Sequence, residues 1–368
     1  MKTERFIEQY LKEYQNYKKY WNYEDGCILM GAKEMYEATG DEKYFTFIKE
    51  YLKPLITDDG TITNYQTDKL SIDSINCSKI LFFMYDKTGD EKYRKAIDFT
   101  MDFLRKHPRC ECGNFIHKQV YPNQIWLDGL YMAQPFYMEY ETRYNKKAQY
   151  KDIVKQYENV QKYIYNGEKG LCYHAYDEAK EQFWADKKTG CSPNFWLRSM
   201  GWYLMSLVDV MDNMSIEIYE QYRRIQDIFK LVQKGIMRYQ DKESKLFYQV
   251  IDRGDVENNY LETSGSAMIA YAVIKACRMG VLSKEKYAAS GMEIMESLIE
   301  NKLKEEDGKL HLTGICEVAG LGPDNRPERN GSVEYYLSEK VVSDDAKGVG
   351  PFMMAYGEYL KLKKELEA

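Results

Sequence analysis

Apolar residues recur along the chain mainly at spacings of three and four, the period of a helix with one buried face. Phe6, Ile7, Tyr10, Leu11, Tyr14 and Tyr17 form one such stripe, and Tyr93, Ala96, Ile97, Met101 and Leu104 a second. Others run through Tyr222, Ile225, Phe229, Val232 and Ile236, through Ile294, Met295, Leu298 and Ile299, and through Phe352, Ala355, Tyr356, Tyr359 and Leu360. Alternation at a period of two is scarce. Leu171-Cys-Tyr-His174 and Leu246-Phe-Tyr-Gln-Val-Ile251 can make short ribbons, but neither supports a central sheet. The expected class is all-α.

One joint between helices repeats. Met35-Tyr-Glu-Ala-Thr-Gly-Asp-Glu-Lys-Tyr44 returns as Met84-Tyr-Asp-Lys-Thr-Gly-Asp-Glu-Lys-Tyr93, 49 positions later (35 to 84). In each copy Thr-Gly ends one helix and Asp is placed to cap the next. Tyr140-Glu-Thr-Arg-Tyr-Asn-Lys147 and Met279-Gly-Val-Leu-Ser-Lys-Glu-Lys-Tyr287 are weaker versions. A helical pair repeating roughly every 50–60 residues cannot bury both its faces alone, so such pairs must stack. An open solenoid and a closed ring both satisfy this. Long aromatic-rich segments at 54–74, 106–128, 163–195 and 305–348, with no Pro/Ser-rich linker between units, favour a ring with a built-up rim around one cavity. The expectation is a single domain spanning residues 1–368.

Composition narrows the class. A hydrophobic content of 44% excludes wholesale disorder, and a net charge of -6 weighs against a general phosphate-backbone binder, so no nucleic-acid partner is expected. The apolar run Ile80-Leu-Phe-Phe-Met-Tyr85 stops after six residues, so no membrane partner is expected either. The opening Met1-Lys-Thr-Glu-Arg has no apolar core of a secretory signal, which leads to the expectation of a cytoplasmic protein with reduced thiols. Cys110 and Cys112 are the only close pair among eight cysteines, there are only four histidines, and no CxxC or HExxH occurs, so structural zinc is not expected. The 34 Tyr, 14 Phe and 5 Trp either fill a large core or line a groove where sugar C–H faces stack on rings.

Chemistry concentrates in a few segments. In Gln124-Ile-Trp-Leu-Asp-Gly-Leu-Tyr-Met-Ala-Gln-Pro-Phe136, Asp128 stands where an apolar helix begins. Two readings are open: a capping carboxylate bonded to backbone N–H groups with a low pKa, or an acid raised by the apolar Trp126, Tyr131 and Met132 and able to donate a proton. In Cys191-Ser-Pro-Asn-Phe-Trp-Leu-Arg-Ser-Met-Gly-Trp-Tyr203, Arg198 and Trp202 share a face if a helix begins near Phe195. Trp196, Arg198 and Trp202 then offer stacking faces and a donor fork, or simply core tryptophans beside an arginine that snorkels to solvent. His174 lies in a segment whose alternation can turn it either way. Asp73 precedes the helix containing Cys77, Ile80 and Leu81, as a cap or as a partner for a sugar hydroxyl. Thr263-Ser-Gly-Ser-Ala-Met268 reads as a cap cluster, and the glycines from Gly314 to Gly350 lack the setting of a nucleotide fingerprint.

Taken together, Trp126-Leu-Asp-Gly-Leu-Tyr-Met-Ala-Gln-Pro-Phe136 followed by Trp196-x-Arg198-x-x-Gly201-Trp202 resembles the unsaturated rhamnogalacturonyl hydrolases of glycoside hydrolase family 105, which are related to the unsaturated glucuronyl hydrolases of family 88. Trp21-Asn-Tyr-Glu-Asp-Gly26, Gly331-Ser-Val-Glu-Tyr-Tyr-Leu-Ser338 and Asp344-Asp-Ala-Lys-Gly-Val-Gly350 fit the same family in the same order. The resemblance implies an (α/α)6 barrel of six helical hairpins. It places the catalytic aspartate on Asp128, a second active-site aspartate on Asp73, the pocket histidine on His174, and the pocket Trp, Arg and Trp on Trp196, Arg198 and Trp202. The implied substrate is a small oligosaccharide ending in a 4,5-unsaturated galacturonic acid, commonly linked to rhamnose. Asp128 protonates C4, water adds at C5 with Asp128 as base, and the resulting hemiketal opens. Asp73 holds sugar hydroxyls and favours protonated Asp128 by like-charge repulsion. Arg198 and His174 face the uronate carboxylate or the water. No metal or organic cofactor is implied. The alternatives are glucuronyl hydrolysis of glycosaminoglycan-derived disaccharides and a non-catalytic sugar-binding scaffold.

Overall fold

The computed structural model describes residues 2–367. The chain alternates outward and inward helices. α1 (Lys2–Glu13) lies outside, α2 (Tyr23–Thr39) inside and α3 (Glu42–Leu52) outside. α4 (Asp73–Asn76) and α5 (Ile80–Thr88), joined by one 3-10 turn, make the next inner wall, backed by α6 (Glu91–Arg105). The pattern continues with α7 (Leu127–Tyr144) and α8 (Tyr150–Tyr163), α9 (Leu197–Asn213) and α10 (Tyr219–Ile236), and α11 (Thr263–Arg278) and α12 (Lys284–Asn301). α13 (Val333–Ser338) is a short rim helix, and α14 (Ala346–Glu367) is the last inner wall. It packs against both α11 and α2, which closes the ring. This is the expected (α/α) barrel of paired antiparallel helices.

Closure depends on backbone approach. A Cβ on Gly350 would lie 2.6 Å from Cys27 Cβ, and one on Gly357 would lie 2.9 Å from the Glu34 carbonyl. α14 therefore meets α2 at a distance no side chain permits. At the C-terminal ends of the inner helices, buried ion pairs join neighbours: Lys275 to Asp209 at 2.8 Å, Arg278 to Glu358 at 2.8 Å and Lys361 to Glu34 at 2.6 Å. Their N-terminal ends turn to the opposite rim, where the long loops gather.

The repeated joint forms as expected. Gly40 (φ 70°) and Gly89 (φ 65°) donate N–H to Tyr36 O and Tyr85 O at 2.8 Å, and Asp41 and Asp90 accept from the amides of Lys43 and Lys92 at 3.1 Å. Other expectations need correction. Tyr14 and Tyr17 lie beyond the end of α1. Leu246–Ile251 forms no strand, only single bridges from Tyr248 to Leu261 and from Val250 to Trp196. Ser264 and Ser266 are inside α11, whose cap is the Glu262 carboxylate, accepting from the amides of Ser264 and Gly265. The Glu262 side chain is fully buried, and the first amides of α11 give its carboxylate hydrogen bonds there.

The rim loops carry short strands: β1 (Gln124–Trp126), β2 (Tyr165–Asn166), β3 (Leu171–Cys172), β4 (Ala175–Asp177), β5 (Leu303–Glu306), β6 (Lys309–Leu312), β7 (Ile315–Cys316) and β8 (Val341–Val342). They pair antiparallel as β1–β4, β2–β3, β5–β6 and β7–β8. Trp126 stands opposite Ala175, and the Leu127 amide donates to His174 O at 3.1 Å, so the start of α7 is tied to the loop bearing His174.

Replacing Gly350 with Ala should lower unfolding free energy by about 2 kcal/mol, because backbone must move to admit the methyl group. Gly40→Ala, with open space around it, should cost only the left-handed backbone strain of about 1 kcal/mol. Urea denaturation of the two variants checks the order.

Candidate active site

A narrow inner pocket of about 100 Å³ opens at the rim into a wider cleft of about 750 Å³. Tyr23, Asp73, Lys118 and Val318 line both, so the two spaces adjoin. Asp128, Asp73 and Trp202 all line the inner pocket.

Asp128 is the second residue of α7, not its cap. The capping position is Trp126, which makes no side-chain cap bond, and no backbone amide donates to the Asp128 carboxylate. The side chain is 14% exposed. Its Oδ2 lies 3.2 Å from His174 Nε2, close enough for an ion pair but out of line for a hydrogen bond, and neither atom has another partner. Of the two readings of Asp128, the capping one has no support in this geometry. Gly129 follows it because the imidazole of His117 lies against that position: a Cβ there would sit 3.3 Å from His117 Nδ1.

His174 is wholly buried, edge-on to Trp126 and 4.7 Å from the ring of Trp196. Its Nδ1 meets the Tyr336 hydroxyl at 2.8 Å. Burial holds the Tyr336 phenol well above its usual range, so it keeps its proton. The other His174 ring nitrogen, Nε2, faces Asp128.

Asp73 opens α4 in a different environment. Lys118 Nζ lies 2.7 Å from its Oδ2, and His117 Nε2 lies 3.5 Å from its Oδ1. Burial opposes its charge, but Lys118 and then His117 outweigh it and hold the carboxyl below the usual range. Lys118 therefore offsets the negative charge that the sequence reading assigned to repelling Asp128. The neighbouring imidazole behaves oppositely. Burial pushes His117 down to about 4, against the upward pull of Asp73, so the ring is neutral near pH 7. His117 stacks face to face on Trp126 at 4.8 Å with the planes 2° apart.

Trp202 stacks on Tyr131 at 4.9 Å and shows an edge to Tyr23. Trp196 and Arg198 stand behind this surface. Trp196 is 2% exposed, packed against His174 and Tyr336, with its Nε1 donating to Gln249 Oε1 at 3.2 Å. Arg198 is fully buried, its guanidinium donating to the Cys316 carbonyl beside the Trp196 ring. The helix begins at Leu197, two residues later than the shared-face argument assumed.

Several pocket residues were not singled out from the sequence, among them His117, Lys118, Tyr121 and Arg329. His117-Lys118 sits in a loop with no periodicity. The available signal was rarity, since His117 is one of four histidines. Arg329 enters from the late glycine-rich segment. Among the described residues, no three His, Cys, Asp or Glu side chains converge as a metal site, and no helix is long and apolar enough to cross a membrane.

Residues 2–363 match the family model described as Glycosyl Hydrolase Family 88. The chain belongs to that family. This family 88 member superimposes on the solved Clostridium relative described as C. acetobutylicum ATCC 824 glycoside hydrolase from family 105 with a TM-score of 0.90 and 39% identity, covering 97% of this chain and 98% of that one. It is also 39% identical over 242 residues to Protein Atu3128 of Agrobacterium fabrum, spanning 63% of this chain and all of that protein. Unsaturated rhamnogalacturonyl hydrolase YesR of Bacillus subtilis is 25% identical over 282 residues, 75% of this chain and 76% of its own.

A pH prediction follows from His117. Its ordinary value is 6.5 and its folded value about 4, so the unfolded chain binds the proton first as pH falls. Stability should drop between pH 6.5 and 4 by about 3 kcal/mol from this group, and no further below. Thermal melts of the wild type and His117→Asn across that window check it: the variant should lose this part of the slope.

Proposed function

We propose that this family 88 member removes a terminal 4,5-unsaturated galacturonic acid from rhamnogalacturonan-derived oligosaccharides. The observation that carries the proposal is Asp128, lining a narrow pocket with no amide bonded to its carboxyl and His174 beside it. A small pocket beside a wide cleft suits an enzyme that takes the end of a sugar chain and leaves the remainder outside.

The chemistry uses the enol ether. Protonated Asp128 gives its proton to C4, and the positive charge formed at C5 is shared with the ring oxygen. The Asp128 carboxylate then takes a proton from the water that attacks C5, and the hemiketal opens to release the remaining sugar. His174 Nε2–H stabilises the carboxylate between the two steps. Asp73, kept ionised by Lys118, accepts hydrogen bonds from ring hydroxyls. Trp202 and the Trp126–His117 stack offer faces to the sugar ring.

The wider cleft supports a pectin-derived substrate. Of its four lysines, Lys18, Lys118 and Lys347 are already held by carboxylates at 2.9, 2.7 and 2.8 Å, and five carboxylates line the same space. That surface is poorly suited to sulfated glycosaminoglycan ends. The name of the YesR relative points the same way. Action on imported oligosaccharides in the cytoplasm, without a metal or organic cofactor, is part of the proposal.

Loss of the enol-ether absorbance, followed with unsaturated galacturonyl-rhamnose beside unsaturated chondroitin and heparin disaccharides, tests the reading. The pectin-derived disaccharide should be cleaved in preference. Asp128→Asn should lower kcat by about 10³-fold or more with little change in binding. Cleavage of the glycosaminoglycan substrates alone, or unchanged turnover by the variant, would overturn it.

A further inference from the structure

The inner pocket holds one cation with no carboxylate at ion-pair distance among the described residues. Its carboxyl groups are Asp73 and Asp128, and its basic groups are His117, Lys118 and Arg329. Lys118 is paired with Asp73 at 2.7 Å, and burial keeps His117 neutral near pH 7. The proton-donor role of Asp128 requires that carboxyl to be neutral when substrate binds. Arg329 then remains as a cation that forms no close ion pair with any carboxylate among the described residues, Glu328 beside it in the chain sensing its charge only at longer range.

Its position makes that charge useful. Arg329 lies on the loop between β7 and α13, half-buried, and Nη1 comes within 3.7 Å of where a Cβ on Gly320 would stand. The edge of Trp126 lies 3.5 Å from the same point. The guanidinium is therefore at the wall formed by Gly320 and Trp126, two residues along the chain from Asp128. Gly320 keeps this wall open, because the Tyr335 hydroxyl accepts its amide at 3.0 Å and no side chain intervenes. Arg198, the arginine that the sequence pattern singled out, is fully buried behind Trp196.

We propose that Arg329 is the residue that recognises the carboxylate of the terminal unsaturated uronic acid, so that a single unpaired guanidinium makes the pocket select acidic over neutral chain ends. The inference rests on the hydrolase reading for the identity of the ligand. A planar guanidinium can take both oxygens of a carboxylate at once, which fixes the plane of the group attached to C5 and so orients C4 toward Asp128. Arg329 touches the substrate without taking part in proton transfer. Its contribution is binding and orientation.

The test compares unsaturated galacturonyl-rhamnose with its C6 methyl ester, which keeps the ring and the double bond but removes the charge. Calorimetric binding to the Asp128→Asn protein reads carboxylate recognition with no turnover. That protein should bind the acid about 100-fold more tightly than the ester, the size of a charge-assisted bidentate contact. Adding Arg329→Ala should abolish most of this preference by weakening acid binding and leaving ester binding within about threefold, while Arg329→Lys should keep part of it. In the active enzyme, Arg329→Ala should raise KM for the acid far more than it lowers kcat. An acid-to-ester ratio unchanged by Arg329→Ala would overturn the assignment. Binding with this pattern but no hydrolysis by the wild type would reject the hydrolase reading and leave the carboxylate assignment standing.

Discussion

Two helices from opposite ends of the sequence, α2 and α14, touch at backbone distance through Gly350 and Gly357. This contact turns a row of hairpins into a ring. An open row would leave the inner faces of its first and last hairpins in water, and each terminal hairpin would need a polar face. Closure removes both ends. It also lets the inner helices bury nearly their whole surface, as α9 does from Leu197 to Met211. With the inner helices parallel to one another around the ring, their N-termini converge on one rim. The ion pairs Lys275–Asp209, Arg278–Glu358 and Lys361–Glu34 occupy the other end, away from the pocket.

At the rim, the same architecture gives two aspartates different surroundings. Asp73 and Asp128 both sit in the first turn of an inner helix, where the helix dipole favours negative charge. Asp73 meets an ammonium at 2.7 Å. Asp128 meets no cation, only the edge of a buried histidine whose other nitrogen is occupied by Tyr336. One carboxyl is thereby held by an ammonium, and the other has no cation beside it. The two surroundings differ by the partner each loop delivers: the loop bearing His117-Lys118 to Asp73, and the segment just before β4, bearing His174, to Asp128.

The outer helices were legible in the sequence because one face of each meets water, which forces the three-and-four spacing seen in α1, α6, α10 and α12. Inner helices such as α9 and α11 carry no stripe, since every side of them is buried, and there the amino-acid pattern reports burial without orientation. The Thr-Gly-Asp joints were also legible, because the left-handed glycine and the capping aspartate are local devices completed within a few residues. The long loops were recognisable as rim insertions, but not the short ribbons they form.

Candidate chemistry divides along the same line. Asp128, Asp73 and Trp202 announced themselves through their place at helix starts and among aromatic residues, and they do line one pocket. Where α7 begins, and so whether Asp128 can cap it, depends in part on the distant loop holding His174, whose carbonyl accepts the Leu127 amide. Arg198 and Trp196 share a motif with Trp202 yet point behind the wall, whereas Arg329 reaches the pocket from a segment with no periodic signal. The helical class, the repeating joint and the kinds of side chain on offer can be read from neighbouring residues alone, because these follow from local sterics and burial. Only the closed ring decided which charges meet, since Coulomb interactions act between groups that the chain brings within a few ångströms from far apart in order.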